Sequence, residues 1–79
     1  MNFKKLDIRK LLKEGVEPFL QIRKNVDLLK PGEGLAVIAP FLPSPLIEVL
    51  RSEKFETRVE RSHDGSWTAY FWRDTVERT

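Results

Sequence analysis

Cysteine is absent from this 79-residue chain, and histidine and methionine occur once each. Without a thiol the chain can form no disulfide, supply no thiolate nucleophile and give no cysteine ligand to zinc or an iron–sulfur cluster. The one histidine, His63, lies beside Asp64 in a predicted turn, without the surrounding partners that a metal site or a general base needs. We therefore expect no cofactor and no metal. A cysteine-free composition is also typical of a reducing compartment, which predicts a cytoplasmic protein.

The usual signatures of catalysis are missing as well. The pair Gly32 and Gly34 precedes an apolar run, whereas a nucleotide-binding loop follows a strand and opens a helix. None of the four serines lies in a nucleophile elbow, and the carboxylates do not cluster in the sequence. The sequence predicts that this protein is not an enzyme.

Long hydrophobic runs are absent too. A membrane-spanning helix needs about 18 or more consecutive apolar residues, and no segment approaches that length. A chain of 79 residues has room for one domain, and such a chain buries only about 60% of the surface that it exposes when unfolded. We predict a single domain over residues 1–73, followed by a flexible polar tail at 74–79, and no association with membranes.

The pattern of the first half predicts a strand, a helix and a second strand. Residues 3–8 alternate imperfectly between apolar and charged side chains, as in a partly exposed strand. From Glu17 the spacing changes to three and four, which predicts a helix with Pro18 in its first turn that ends before residues 31–34. Its predicted buried face consists of Phe19, Ile22, Val26 and Leu29. The continuous apolar run at residues 35–39 is typical of a strand in the middle of a sheet.

The second half predicts a helix and a hairpin. Ser44 and Pro45 are typical of the N-cap and first turn of a helix, whose apolar face contains Leu46, Val49 and Leu50. Residues 55–60 and 67–72 then alternate with period two around the Asp64-Gly65 turn. The order β-α-β-α-β-β, with right-handed crossovers, predicts an α/β (α+β) two-layer sandwich with a four-stranded mixed sheet and two helices on one face.

Charge is distributed unevenly. Residues 1–30 contain eight Lys or Arg against four Asp or Glu, although the whole chain has a net charge of only +2. A basic face attracts anionic partners by long-range steering, and it is also what a solvated surface looks like. The candidate contacts to an anion or a nucleic acid are Arg9, Lys10, Lys13, Arg23 and Lys24.

Several short motifs resemble those of a known family, and the resemblance covers residues 6–73. In order, they are Leu6-Asp7, Glu17-Pro18, Pro31-Gly32-Glu33, Ala39-Pro40-Phe41 and Ser44-Pro45-Leu46. Their order and spacing are similar to those of the TusA-like (SirA-like) sulfur carriers, and more specifically to the uncharacterised branch called domain of unknown function 2249. The resemblance implies the same β-α-β-α-β-β sandwich.

The chain departs from that family at the residue on which sulfur transfer depends. Sulfur carriers hold a persulfide on the cysteine of a Cys-Pro-x-Pro motif at the start of the first helix, where the positive helix end favours a thiolate. Alignment on Pro18 puts Gly15 at the position of this cysteine and Val16 at that of the first proline. A sulfur relay by this chain is therefore excluded chemically. The helix start remains either a small site for an anion or ligand, or a tight turn at Gly15 with Glu17 complementing the helix dipole.

The sequence thus predicts a small non-catalytic interaction module. Its expected surface lies where the first helix starts and where the loop after the central strand runs, because both are at the same end of the parallel strands. The residues of this expected surface are Gly15, Val16, Glu17, Pro18, Pro40, Phe41 and Leu42. We expect a protein partner and a monomer or weak homodimer. The alternative function is binding of RNA or DNA through the basic first third.

Overall fold

A computed structural model describes residues 2–73, and the predicted tail at 74–79 lies outside the described residues. Within residues 2–73 the chain forms four strands and three helices. The strands are β1 (Asn2–Asp7), β2 (Glu33–Ala39), β3 (Glu56–Arg61) and β4 (Trp67–Trp72). The helices are α1 (Ile8–Lys13), α2 (Pro18–Asp27) and α3 (Ser44–Ser52).

The four described strands form one mixed sheet in the order β1-β2-β4-β3. β1 runs parallel to β2, whereas β4 is antiparallel to both β2 and β3. The apolar run predicted as a central strand is β2, and it does lie in the interior of the sheet. The predicted β3–β4 hairpin is also present, and its turn contains Gly65 at a φ of 88°.

The hydrophobic core lies on the face of the sheet from which Leu35, Val37 and Phe71 project. Strand residues that lie opposite each other share a face, and Leu35 is paired with Phe71. Side chains from the described helices join these strand residues in one core. The helical members of this core are Ile8, Ile22, Val26, Leu46 and Leu50.

The prediction of two helices was wrong, because α1 follows directly on β1. The alternation of apolar and polar residues predicts a strand that reaches Ile8, but β1 ends at Asp7, which is the N-cap of α1. The Asp7 carboxylate accepts a hydrogen bond of 3.0 Å from the backbone N–H of Arg9 and so caps a new helix. Ile8, Leu11 and Leu12 then lie at helical spacing, with Ile8 buried.

Two details of the other helices also differ from the sequence-based expectation. Phe19 was expected on the buried face of α2, yet it is 42% exposed, because it lies in the first turn, beyond the part of the helix that covers the sheet. Ser44 was expected to cap α3. Instead Pro43 occupies the N-cap position, and no side chain caps this helix, while Pro45 lies in its first turn as predicted.

Candidate functional site

An apolar groove lies where the start of α2 meets the loop that leads into α3. Its floor consists of buried residues, among them Ile8, Ile22 and Leu46. Phe19 and Phe41, 42% and 49% exposed, form its walls together with three prolines, Pro18, Pro43 and Pro45. The groove encloses about 160 Å³, and every side chain that lines it is apolar. We call it the Phe19–Phe41 groove.

Local sequence holds the start of α2 in place. Gly15 has a φ of 74°, which glycine adopts without strain, and it reverses the chain between α1 and α2. The Glu17 carboxylate accepts a 2.7 Å hydrogen bond from the backbone N–H of Phe19 and caps α2. Pro18 follows in the first turn, where its missing N–H leaves no bond unmade. These features fix where α2 begins, and with it the position of the Phe19 side chain.

Backbone N–H groups around this helix start donate to acceptors of the chain itself, which leaves few donors for an anion. The N–H of Gly15 donates to the carbonyl of Leu12 at 3.1 Å, and the N–H of Val16 donates to that of Leu11 at 2.9 Å. The chain's own Glu17 carboxylate already occupies the position that an anion would take.

The structure brings together only some of the residues of the expected surface. Pro18 and Phe41 line the Phe19–Phe41 groove, joined by Phe19, which the sequence had assigned to the core. Gly15, Val16, Glu17 and Pro40 are exposed outside its lining. Leu42 lines a different groove, next to β3.

Arg9 and Arg23, two of the five predicted contacts to an anion, are engaged with carboxylates. Arg9 forms an ion pair of 2.8 Å with Asp7 and reaches Asp64 in the β3–β4 turn at 3.3 Å. Hydrogen bonds from the Arg9 side chain lower the pKa of Asp7. The pKa of Asp64 is also lowered, mainly by hydrogen bonds from Ser66.

Arg23 pairs with a carboxylate at the end of another helix. Its guanidinium donates two hydrogen bonds, of 2.8 and 2.6 Å, to the two carboxylate oxygens of Glu53, and Asp27 lies 3.6 Å away. This bidentate contact raises the pKa of Arg23 and lowers that of Glu53. The pair joins α2 to the end of α3. The other three predicted contacts, Lys10, Lys13 and Lys24, are exposed.

The opposite face of the sheet carries a cluster of aromatic side chains. As the alternation predicted, Tyr70 and Trp72 project on the side away from Phe71. The Phe3 ring packs edge-on against both, at centroid distances of 5.1 and 6.0 Å. Burial and a 3.2 Å hydrogen bond to the Glu60 carboxylate raise the pKa of Tyr70.

Residues 2–73 contain no group of three or more His, Asp or Glu side chains placed to hold a metal ion. His63 is exposed in the β3–β4 turn, as predicted. Over the same residues, no helix is both long enough and apolar enough to cross a bilayer.

Sequence reasoning missed Phe19, Pro43 and Pro45 as lining residues of the groove. Phe19 continues the three-and-four spacing of the α2 core residues, so nothing in the pattern separates it from them. Proline next to an aromatic residue, at both Pro18-Phe19 and Pro40-Phe41, is the one signal that would have paired these segments.

Comparison with known proteins gives a family and no activity. The family model described as an uncharacterised conserved protein (DUF2249) matches residues 5–73. No curated protein and no solved structure matches the chain significantly.

Proposed function

The chain belongs to the DUF2249 family of uncharacterised conserved proteins, and from that premise we propose that it is a non-catalytic module that binds an apolar segment of a protein partner in the Phe19–Phe41 groove. One observation carries the proposal: two distant segments place half-exposed phenylalanines on either side of an apolar floor. Single exposed apolar side chains are common, but two such rings around one apolar floor form a contiguous patch of the kind that marks an interaction site.

The chemistry of the groove determines the kind of partner. Its lining side chains donate and accept no hydrogen bonds, so polar ligands would lose their hydration without compensation. An aromatic or branched aliphatic side chain gains by leaving water, and three prolines keep the walls stiff, which limits the entropy lost on binding. Val16 and Leu20, near Phe19 in the sequence, are further exposed apolar side chains.

We also propose that the fold is a TusA-like two-layer sandwich, with α1 as an addition between the first strand and α2. Support comes from the single core, in which the described helices meet one face of the sheet. With glycine where sulfur carriers have their cysteine, this scaffold would serve in docking alone. A cytoplasmic location is part of the same proposal.

The test places a photo-crosslinking amino acid at position 41 in cells, and at position 28 as a control. Leu28 is 67% exposed and lies at the end of α2, outside the groove. We expect a protein that crosslinks from position 41 and not from position 28. This protein is then purified, and its affinity is measured by calorimetry for the wild type, Phe41→Asp and Leu28→Asp.

The proposal predicts that Phe41→Asp weakens binding by at least about tenfold, since it puts a charge into an apolar contact. Leu28→Asp should bind like the wild type, and circular dichroism should find both variants folded. Equal affinities for the two variants, or no crosslink specific to position 41, would overturn the proposal.

A further inference from the structure

β3 lies at one edge of the sheet, with β4 on one side and no further strand among residues 2–73 on the other. Its pairing with β4 is continuous from Glu56 to Arg61, without a bulge, and it contains no proline. A straight edge of this kind leaves a row of backbone N–H and C=O groups ready to pair with another strand. Charged side chains protect such an edge against most partners.

The side chains of β3 are complementary to a second copy of themselves. If two β3 strands run antiparallel about Val59, each Val59 lies opposite the partner's Val59. Each Arg58 then lies opposite the partner's Glu60, on the same face of the sheet, and this happens twice by symmetry. Shifting the centre to Arg58 would put two arginines opposite each other and Glu56 opposite the partner's Glu60. Centring on Thr57 would keep Glu56 opposite the partner's Arg58, but it would pair only residues 56–58 of the two strands, against residues 57–61 about Val59. Charge and the length of the pairing together therefore favour the register about Val59.

An apolar groove accompanies this edge on the side of α3. It encloses about 330 Å³, and Leu42, Ile47, Phe55 and Val59 line it together with polar neighbours. Leu42 and Val59 are 40% and 39% exposed. In the register about Val59, the partner's Val59 projects to this side and meets these apolar side chains, which a second strand would cover.

We propose that β3 is the contact surface of a homodimer, in which two copies pair their β3 strands antiparallel about Val59 and join their sheets into one. The dimer uses neither Phe19 nor Phe41, so it does not rest on the proposed function. The aromatic rings of Phe3 and Trp72 take no part in the strand pairing.

Charge reversal tests the register. Sedimentation of the purified wild-type chain should give twice the mass of one chain as concentration rises. Arg58→Glu puts acids opposite acids, and Glu60→Arg puts bases opposite bases, so each variant alone should be monomeric. Mixed in equal amounts, the two variants should form a heterodimer, because each acid then faces a base. Lys24→Glu, an exposed charge change on α2, should dimerise like the wild type.

A cysteine crosslink provides a second measurement that does not depend on those variants folding. Because the chain has no cysteine, Val59→Cys introduces a single thiol that lies opposite its copy at a distance a disulfide spans. Mild oxidation should convert Val59→Cys to a covalent dimer much faster than Val49→Cys, a control on α3 with 37% exposure. A wild type that stays monomeric at every concentration, a mixture that does not associate, or equal crosslinking at both positions would overturn the proposal.

Discussion

Gly34 lies on β2 directly beneath the Phe3 ring. A Cβ built at this position would come within 2.5 Å of Phe3 Cε1 and 2.7 Å of the Phe71 carbonyl oxygen. Both distances are shorter than non-bonded carbon atoms adopt, so any side chain at this position forces its neighbours to shift. The ring in turn covers the backbone that glycine leaves bare, and this lets Phe3 reach Tyr70 and Trp72.

Gly34→Ala should therefore destabilise the fold by about 1–3 kcal/mol, the usual cost of inserting a methyl group into a packed site. The check is urea unfolding of the wild type, Gly34→Ala, Phe3→Ala and the double variant. In the Phe3→Ala background the cost should fall but not vanish, since the Phe71 carbonyl is backbone and cannot rotate away. A neutral Gly34→Ala would contradict the close contact.

The two glycines of the Gly32-Glu33-Gly34 motif illustrate what the sequence can reveal at this scale. Gly32 has a φ of 85°, so its role in a turn follows from the neighbouring proline. The role of Gly34 depends on a ring that arrives from β1, and no local pattern contains that information. The same holds for Phe19, which lines a groove only because the distant Phe41 loop lies across from it.

At the scale of elements, the Arg23–Glu53 pair joins α2 to the end of α3. The pKa of Glu53 is lower in the folded protein than in the unfolded chain, since the guanidinium of Arg23 donates two hydrogen bonds to the ionised form. Such a carboxyl stabilises the folded state above its unfolded pKa of about 4.3. This contribution is lost as the pH falls through the folded pKa.

Glu53→Gln should accordingly lower the Tm at neutral pH, and its difference from the wild type should shrink steadily as the pH falls below about 4. Thermal unfolding followed by circular dichroism across this range provides the measurement. Glu48→Gln, at an exposed position on α3, should leave the Tm unchanged. A difference for Glu53→Gln that persists undiminished in acid would mean that the ion pair does not stabilise the fold.

Most elements followed from periodicity, but α1 did not. Its six residues are too few for a helical period to stand out, and Leu6 and Ile8 continue the alternation of β1. The decisive contact is the Asp7 carboxylate on the N–H of Arg9, and aspartate is equally common in turns. The strands were easier to predict because burial on one face leaves an alternation, and burial on both faces leaves a continuous apolar run, along the whole element.

At the scale of the whole molecule, ion pairing determines how many basic side chains of the first third can contact an anionic partner. Arg9 and Arg23 are paired with carboxylates, which leaves Lys10, Lys13 and Lys24 of the five candidate contacts. Binding of nucleic acid through three lysines would depend steeply on salt, with a log–log slope of magnitude no greater than about 3.

We expect an amide-resolved NMR titration with short single- and double-stranded nucleic acids to give, at most, small shifts near these lysines at low salt. The shifts should vanish at about 0.15 M salt, where exposed charges are screened beyond about 8 Å. A Phe41→Asp variant should behave like the wild type in this titration. Shifts that survive this salt concentration would favour the nucleic-acid alternative over the Phe19–Phe41 groove.

The strand order has a further consequence for how the chain folds. β3 and β4 are neighbours in the sequence, and a hairpin of this kind closes within about 1–10 microseconds. β2, by contrast, must find residues far away on both sides, pairing Glu33 with Asn2 and Leu35 with Phe71. Closing these two long loops costs chain entropy before the core offsets it, so we expect docking of β2 to limit the folding rate. In that order of events the hairpin forms first, and β2, the most apolar strand, is exposed for longest during folding.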